Sequence, residues 1–428
     1  MPSPYPDGDR EKVASKLPPA LQQELKVRCA ELSLDIQDAV EAAVTNWRAR
    51  PTPGPEIETA GSKSFSTWLP TGLYDDFKAT CGERGVSYIQ GLAQSIRAWL
   101  EDNPSPADAN RSAEPRRIVT ANQKGGVGKT SVSLGIAQSY AEHDEDGAAA
   151  LRRFIESLSF GDLKRVEKTK AGLLKQLEKL TVGGQRVLVV DYDPQSHLSD
   201  QLGIPQIPPG QESLVTHMVG DPDGDLHDLI VTLDDPRFHR RLDVLPGAYD
   251  GFLLDSKLAL TAAQSRGFQK EVALERALRP AEGDYDVIVI DCPPSLGLAM
   301  DAGLYYARRR RNEKKGRSGV VIPVQAEDSS ATAYSMLVNQ VEDLCKDLSL
   351  EIDYLGLVVN QYDSRRGFVA TSSLAQWNSL GDQQVLAVLD DLKEQREAVR
   401  LKQPLLAYAP ESKQANTMRM IAMGVVSE

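Results

Sequence analysis

The stretch that decides the fold is IVTANQKGGVGKTS at residues 118–131. An apolar run leads into a glycine-rich loop, the loop ends in Lys129 and Thr130, and a helical pattern then continues through Tyr140. Glycines allow backbone N–H groups to wrap a phosphate, and the N-terminus of the following helix adds positive potential. The stretch therefore predicts a phosphate-binding loop between a strand and a helix.

The loop carries two lysines where a phosphate loop needs one. Lys129 is expected to contact the β- and γ-phosphates of a nucleotide, and the Thr130 hydroxyl to ligate Mg²⁺. The ordinary pattern has Gly at position 123, where this chain has Gln, and a second lysine, Lys124, follows it. A second cation suits the neutralisation of charge during phosphoryl transfer. The predicted nucleotide contacts in this loop are Gly125, Gly126, Val127, Gly128, Lys129, Thr130 and Ser131.

Two later apolar runs end in carboxylates. The segment VLVVDYDPQSHLS at 187–199 delivers Asp191 and Asp193 on one face of a strand, and YDVIVIDCPPSLGLAM at 285–300 ends its apolar run at Asp291. A carboxylate at the end of a buried strand beside a phosphate loop holds Mg²⁺ through water. We predict that role for Asp291.

Together these motifs resemble the deviant Walker A ATPases of the ParA/MinD class. The resemblance covers roughly 116–428 and includes VVIPVQAED at 320–328 and GLVVNQYDSRRG at 356–367. It implies that Lys124 crosses a dimer interface to the partner's nucleotide and that Asn360 and Gln361 read the adenine base. The catalytic set is then Lys124, Lys129 and Asp193, which positions the attacking water, and the metal set is Thr130, Asp191 and Asp291.

The same region alternates apolar runs with helical patterns. Such runs between helices indicate an α/β fold, a P-loop NTPase whose mostly parallel sheet is covered by helices on both faces. Two inserts interrupt the pattern, at about 142–181 and at 307–318. We interpret the first as either a solvated excursion or a partner surface. The expected strands include 118–120, 187–190, 242–245, 287–290, 320–324, 354–359 and 404–407.

The chain before residue 116 holds two copies of one small unit. A shift of 52 residues matches Leu17 with Leu69, Cys29 with Cys81 and Trp47 with Trp99. Each copy has the pattern of a strand followed by two helices, which cannot bury its own apolar face and must pair. We predict units at 1–50 and 63–102, with linkers at 51–62, which is rich in Pro and Gly, and at 103–115, which carries three prolines.

Each copy resembles a ribbon-helix-helix DNA-binding unit, in which two strands pair into a ribbon that enters the major groove. The family also holds a phosphate at the start of the second helix, a role that Ser87 suits and Asp35 opposes. The alternative is a dimerisation or docking module that no longer reads bases. Alternation along the strands predicts that the outward residues are Lys12, Ala14, Lys16, Ser64, Ser66 and Trp68.

Charge and composition narrow the function classes. The net charge of −12 excludes a uniformly basic DNA-coating protein, but it leaves room for local basic patches. The four cysteines form no CxxC pair, which argues against a disulfide framework or a metal cluster. A solvated loop is the alternative interpretation of the arginines in the second insert. The candidate DNA contacts are Lys12, Lys16, Ser64, Ser66, Arg308, Arg309, Arg310, Arg311, Arg365 and Arg366.

The resemblance implies a Mg²⁺-dependent ATPase that partitions DNA, most simply a plasmid. An ATP-bound homodimer would bind DNA without sequence preference, and a ParB-like centromere-binding partner would stimulate slow hydrolysis and release it. The N-terminal tandem is expected to bind operator DNA for autoregulation. A nucleotide-regulated transcriptional repressor and a MinD-like positioning ATPase are the alternatives, although we see no basic amphipathic membrane helix at the end of the chain. With neither a signal peptide nor an apolar run of roughly 18 residues, we expect a cytoplasmic, nucleoid-associated protein with no membrane partner.

Overall fold

The computed structural model describes residues 10–32, 34–103, 114–142, 144–179, 183–381 and 383–426. The chain forms two compact units, one of residues 1–111 with 260–272 and one of 112–259 with 273–428. Most of the predicted linker 103–115, and residues 143, 180 and 181 of the first predicted insert, lie outside the described residues.

The first unit is built on a two-stranded antiparallel ribbon. Strands β1 (Arg10–Leu17) and β2 (Lys63–Pro70) pair along their whole length, with Ala14 opposite Ser66. Successive side chains of a strand point to opposite faces, so one face of the ribbon packs inward and the other meets solvent. The predicted alternation is confirmed, because five of the six inward side chains are buried and Ser15 is half-buried, while the six predicted outward residues, Lys12, Ala14, Lys16, Ser64, Ser66 and Trp68, are exposed.

Four helices close the inward face of this ribbon. They are α1 (Pro19–Glu31), α2 (Ile36–Ala49), α3 (Leu73–Glu83) and α4 (Tyr88–Asp102). Val44 and Trp47 of α2 share one core with Ile96 and Trp99 of α4. The two copies therefore bury each other's apolar faces within one chain, which neither copy could do alone.

An eight-stranded sheet forms the centre of the second unit, in the order β10-β9-β8-β3-β7-β4-β6-β5. Only the pairing of β5 with β6 is antiparallel. The strands are β3 (Arg116–Thr120), β4 (Val187–Asp191), β5 (Val231–Thr232), β6 (Leu242–Leu245), β7 (Val287–Asp291), β8 (Gly319–Gln325), β9 (Tyr354–Tyr362) and β10 (Val385–Asp390). The mostly parallel α/β sheet predicted from the apolar runs is confirmed.

Helices connect these strands and pack on the sheet. The longer ones are α5 (Lys129–Ala141), α6 (Asp144–Ser157), α8 (Lys170–Lys179), α11 (Leu254–Gln264), α13 (Leu298–Tyr306), α14 (Asp328–Leu348), α15 (Phe368–Asn378), α16 (Lys393–Leu401) and α18 (Lys413–Val426). The shorter ones are α7 (Phe160–Arg165), α9 (His197–Gln201), α10 (Leu214–Val219), α12 (Ala273–Leu278) and α17 (Leu405–Tyr408).

One predicted strand is wrong. Residues 404–407 enter the short helix α17, in which Leu405 and Leu406 are buried, and the edge strand is instead β10. A four-residue apolar run does not by itself separate a strand from a buried turn of helix. Here the amide of Leu406 donates to Oε1 of Gln138 on α5 at 3.0 Å, an interaction that requires the tertiary structure.

The first insert is folded onto the unit rather than extended into solvent. Its apolar side chains Ile155 and Leu173 belong to the same core as Met420 of α18. Arg165 lies 3.2 Å from Asp390 at the end of β10, which ties the insert to the sheet edge. The interpretation as a solvated excursion is therefore wrong for the described part of the insert.

Candidate functional site

The predicted phosphate loop lies where β3 ends, at the carboxyl edge of the sheet. Gly126 and Gly128 have φ values of +73° and +88°, in the left-handed region that residues with a Cβ rarely adopt. Asn122 shapes the start of the loop, since its side chain donates to Pro323 O at 2.7 Å and accepts from the Lys124 amide at 2.9 Å. The helix α5 begins directly after Gly128, so its free N–H groups face the loop.

The two residues predicted to read adenine lie against this loop. The Asn360 amide donates to Val127 O at 2.9 Å, and Gln361 donates to Gly126 O at 3.3 Å. A Cβ at Gly128 would come within 1.8 Å of Asn360 Nδ2. In this structure both amides hold the loop backbone, and their reading of a base stays a prediction.

Two buried carboxylates stand side by side beyond the loop. The strand register pairs Asp191 with Asp291, and Asp291 with Thr120 at the start of the loop. Ser199 donates to one oxygen of Asp191 from both its amide, at 2.8 Å, and its hydroxyl, at 2.6 Å. Ser133 donates to one oxygen of Asp291 at 3.0 Å. The other oxygen of each carboxylate is buried and has no hydrogen-bond partner among the described residues.

The electrostatics of this pair favour a bound cation. Burial, with a smaller contribution from the charge of Asp191, raises the pKa of Asp291 to about 7. Burial also raises the pKa of Asp191 to about 6, although its hydrogen bonds to Ser199 oppose the rise. Two carboxylates that each keep a free oxygen in a low-dielectric site are left under-neutralised. The Thr130 side chain hydrogen-bonds to Asp291, which opposes the rise in the pKa of Asp291. The two carboxylates and the Thr130 hydroxyl fit a Mg²⁺ ion bound together with nucleotide phosphates.

The two predicted catalytic groups nearest the loop are also buried. Burial lowers the pKa of Lys129, whose ammonium donates across the loop to Lys124 O at 3.1 Å. Asp193 follows β4 by two residues, and its carboxylate accepts from the Gln195 amide at 2.9 Å. The negative charges of Asp291 and Asp193 raise the pKa of Lys129 and so oppose the larger effect of burial. The structure thus brings Lys129, Asp193, Asp191 and Asp291 together at one edge.

The second lysine of the loop is held by its own chain. The Lys124 ammonium contacts the carboxylate of Glu327 and lies 2.8 Å from Ser329 Oγ. The hydrogen bond from the Lys124 ammonium lowers the pKa of the Glu327 carboxyl group. Glu327 and Ser329 follow β8 and are not among the residues predicted from the sequence. The segment VVIPVQAED does carry an acidic residue just after its apolar run, and this was the available signal.

The structure corrects the predicted DNA contacts in the second insert. Arg308 is inserted among buried residues and pairs with Glu275, while Arg310 lies 2.7 Å from Glu282 and 3.1 Å from Glu275. Arg309 pairs with Asp353 at 2.6 Å. The prediction that Arg308 and Arg310 contact DNA is wrong, because withdrawing them would leave carboxylates unpaired in a buried site, whereas the prediction for the half-buried Arg309 stays a prediction.

Arg308 and Arg310 are thereby withdrawn from the surface, and a different group of cations lies at the carboxyl edge of the sheet. Arg365 and Arg366 follow β9 and are exposed; Arg365 pairs with Asp363 at 2.9 Å and Arg366 lies 3.8 Å from Glu327. The Asp391 amide donates to Tyr362 O at 3.4 Å, which brings the segment before α16 beside them. Helix α16 adds exposed cations that were not predicted from the sequence, Lys393, Arg396 and Arg400. Their spacing places them on one helix face.

None of the helices in the described ranges has the length and apolar character needed to cross a bilayer.

We predict that Asp291→Asn stabilises the metal-free protein. The folded-state pKa of Asp291 lies above its ordinary value, so the ionised carboxylate costs stability above about pH 7, and that cost shrinks as the pH falls toward 4. In excess chelator we expect a gain of about 2 kcal/mol at pH 8 and a smaller gain at pH 5, measured by urea denaturation. Asp228→Asn, at an exposed position, is the control. Equal or lower stability of the Asp291 variant at pH 8 would contradict an under-neutralised pair.

We predict opposite outcomes at two neighbouring arginines. Arg310→Met leaves Glu282 unpaired in a buried site and should lower the free energy of unfolding by about 3–5 kcal/mol. Arg311→Met, at the exposed neighbouring position, should change it by less than about 0.5 kcal/mol. Adding Glu282→Gln to Arg310→Met should recover part of the loss. Similar effects at both arginines would show that the buried network does not exist.

The comparisons with known proteins agree with this geometry. An AAA domain family model matches residues 168–354. Soj of Bacillus subtilis, a sporulation initiation inhibitor protein, is 28% identical over 72% of this chain and 98% of its own length. The chromosome-partitioning ATPase Soj of Thermus thermophilus is 29% identical over 74% of this chain and 97% of its own. The McdA–ATP complex of Cyanothece has a TM-score of 0.51 and 17% identity, covers 74% of this chain and 99% of its own, and shows the likeness of fold. The ordered phosphate-loop and carboxylate motifs, the mostly parallel sheet that carries them and these relatives together support the resemblance to the ParA/MinD class of P-loop ATPases.

Proposed function

We propose that this protein is a DNA partition ATPase that hydrolyses Mg²⁺–ATP at the carboxyl edge of its sheet. The observation that carries the proposal is the pair of buried carboxylates, each with one free oxygen, beside a phosphate loop with two lysines. Mg²⁺ held there would supply positive charge to neutralise the phosphates of a bound nucleotide. Thr130, Asp191 and Asp291 are the residues that would hold it.

The chain's own groups would prepare the reaction in two ways. The backbone N–H groups of residues 125–131 cradle the phosphates, and the desolvated Lys129 ammonium meets the β- and γ-phosphates more strongly than it would in water. Asp193 is buried and oriented by the Gln195 amide, so its carboxylate can hold a water in line with the γ-phosphate.

Lys124 would link hydrolysis to dimerisation. Within one chain its ammonium is paired with Glu327 and contacts Ser329. A lysine that reached a partner's nucleotide would have to exchange this carboxylate for phosphate oxygens. Because that exchange needs a second chain and a bound nucleotide, an isolated chain should hydrolyse ATP slowly, and a ParB-like partner that favours the exchange would accelerate it.

DNA binding without sequence preference would use the basic cluster at the same edge. Arg365, Arg366 and the exposed cations of α16 are few, and the net charge of the chain is −12. Affinity for phosphates grows steeply with the number of phosphates neutralised at once. A dimer that doubles the cluster would therefore bind DNA where a single chain does not, which supports nucleotide-dependent association with the nucleoid.

The relatives support partition as the process, since proteins named for chromosome partitioning in Thermus thermophilus and Caulobacter vibrioides are 29% and 26% identical to this chain. The nature of the cargo, a plasmid in our sequence-based expectation, stays a prediction. We assign autoregulation to the N-terminal ribbon, whose outward face is exposed and free of acidic side chains at its six outward positions.

We predict that Lys124→Ala binds ATP but loses dimer-linked hydrolysis. Removing one charged donor to a developing negative charge should lower kcat by about 10²–10³-fold while leaving the affinity for a fluorescent ATP analogue nearly unchanged. Lys175→Ala, which removes an exposed lysine elsewhere, is the matched control. Unchanged turnover in Lys124→Ala would exclude a catalytic role for this lysine.

We predict that duplex DNA is bound with ATP and hardly at all with ADP or without nucleotide. Binding should be insensitive to sequence and fall steeply with salt. Arg365→Ala with Arg366→Ala should reduce the slope of log K against log salt by about 0.9 for each phosphate that the variant no longer neutralises. The double variant Lys175→Ala and Lys346→Ala, at exposed lysines, should keep the slope. Equal DNA affinity in all three nucleotide states would overturn the partition proposal.

A further inference from the structure

The ribbon of the first unit has an internal two-fold relationship. The duplication relates each residue to the one 52 positions later, so Ala14 corresponds to Ser66. The observed register places Ala14 directly opposite Ser66. An approximate two-fold axis therefore passes through the middle of the outward face, as it would if two identical chains had paired their strands.

The inward residues of the ribbon follow this two-fold relationship in their chemistry, and the outward residues do not. Inward counterparts are alike in chemistry: Val13 corresponds to Phe65, and Leu17 to Leu69, and all four are buried. Outward counterparts are unlike at every position: Lys12 corresponds to Ser64, Ala14 to Ser66, and Lys16 to Trp68. Packing explains the similarity of the inward set. Nothing in the packing of the unit requires the outward set to differ.

The outward face has the size of a short DNA element. Apart from Arg10, which pairs with Asp38 and Glu41, the three outward positions on each strand cover about 14 Å at about 3.4 Å of rise per residue, which is about four base pairs. A two-stranded ribbon fits the major groove. The two ammonium groups, of Lys12 and Lys16, both belong to β1, whereas β2 presents two hydroxyls and the exposed indole of Trp68. The face is thus cationic along one strand and uncharged along the other.

The helix starts beside the ribbon are also unequal. Asp35 caps α2 by accepting from the Gln37 amide, and its counterpart Ser87 caps α4 by accepting from the Gln90 amide. Both side chains are exposed. A phosphate near α2 would meet a negative charge, while one near α4 would meet a neutral hydroxyl. The asymmetry of the outward face therefore continues to its flanks.

We propose that the ribbon reads a DNA element that lacks two-fold symmetry, with guanines facing β1 and thymines facing β2. This rests on the DNA-binding role proposed above for the ribbon and adds the class of sequence that it takes. Lysine ammonium groups donate to guanine O6 and N7 in the major groove, and an apolar ring contacts the thymine methyl group. Ser64 and Ser66 can donate or accept, and so tolerate several bases. One chain supplies the whole reading surface for one element.

The test is selection of binding sites from random duplexes with the full-length protein, without nucleotide and at about 0.15 M salt, so that sequence-blind binding is weak. We expect an enriched core of about four base pairs that is not a palindrome. Lys12→Ala with Lys16→Ala should weaken binding to that core at least tenfold and remove the guanine preference, since each good base contact contributes about 1–3 kcal/mol. Trp68→Ala should weaken the preference for thymine in the half of the DNA element that faces β2. Lys175→Ala with Lys346→Ala should change nothing.

A variant that carries the same outward residues on both strands of the ribbon provides a second test. Ser64→Lys, Ser66→Ala and Trp68→Lys together give β2 the outward residues of β1, at exposed positions that leave the core intact. This variant should select a palindrome. A palindrome selected by the natural ribbon would overturn the asymmetry while leaving DNA reading in place. Absence of any enriched sequence would overturn both proposals for the ribbon, and the ATP and Lys124 experiments would still decide the ATPase role separately.

Discussion

The uncompensated negative charge of two neighbouring buried carboxylates is the constraint on which the rest of the ATPase unit depends. Asp191 and Asp291 meet because β4 and β7 are parallel neighbours that end at the same level. Parallel strands require helical crossovers, and those crossovers cover both faces of the sheet, at whose edge both carboxylates are buried. Low dielectric strengthens every interaction there, with Mg²⁺, with phosphates and with Lys129. The fold that makes the carboxylates costly is also what makes a cation at this edge bind well.

Burial also decides what the arginines of this chain do. Arg310 and Arg365 are the same residue type in similarly basic stretches of sequence, yet one neutralises internal glutamates and the other is exposed. Buried guanidinium–carboxylate pairs are costly to break, so Arg310 is not free to bind a phosphate. The surface field that DNA would meet therefore comes from fewer cations than the sequence contains, and they lie at the edge that also carries the nucleotide site. That placement suits a DNA affinity controlled by nucleotide state.

The two copies of the N-terminal unit show how duplication can relax symmetry. Their shared core, from Trp47 to Trp99, keeps the apolar positions similar because each copy packs against the other. The outward residues are under no such restraint, and a single chain can present different side chains on the two strands. Two separate identical chains could not, since a two-fold contact repeats the same residues on both sides.

The sequence by itself determined the elements whose patterns are local. The phosphate loop, the carboxylates at the ends of apolar strands, the alternation along both ribbon strands and most strands of the sheet follow from spacing and residue type, and the structure confirms them. Interactions between distant segments were decided only by the tertiary structure. These are the edge position of β10 in place of residues 404–407, the packing of the first insert on α18, the pairing of Lys124 with Glu327, and the burial of Arg308 and Arg310. In each case the local pattern was compatible with two environments, and the energy of burying or pairing a side chain with a residue far along the chain chose between them.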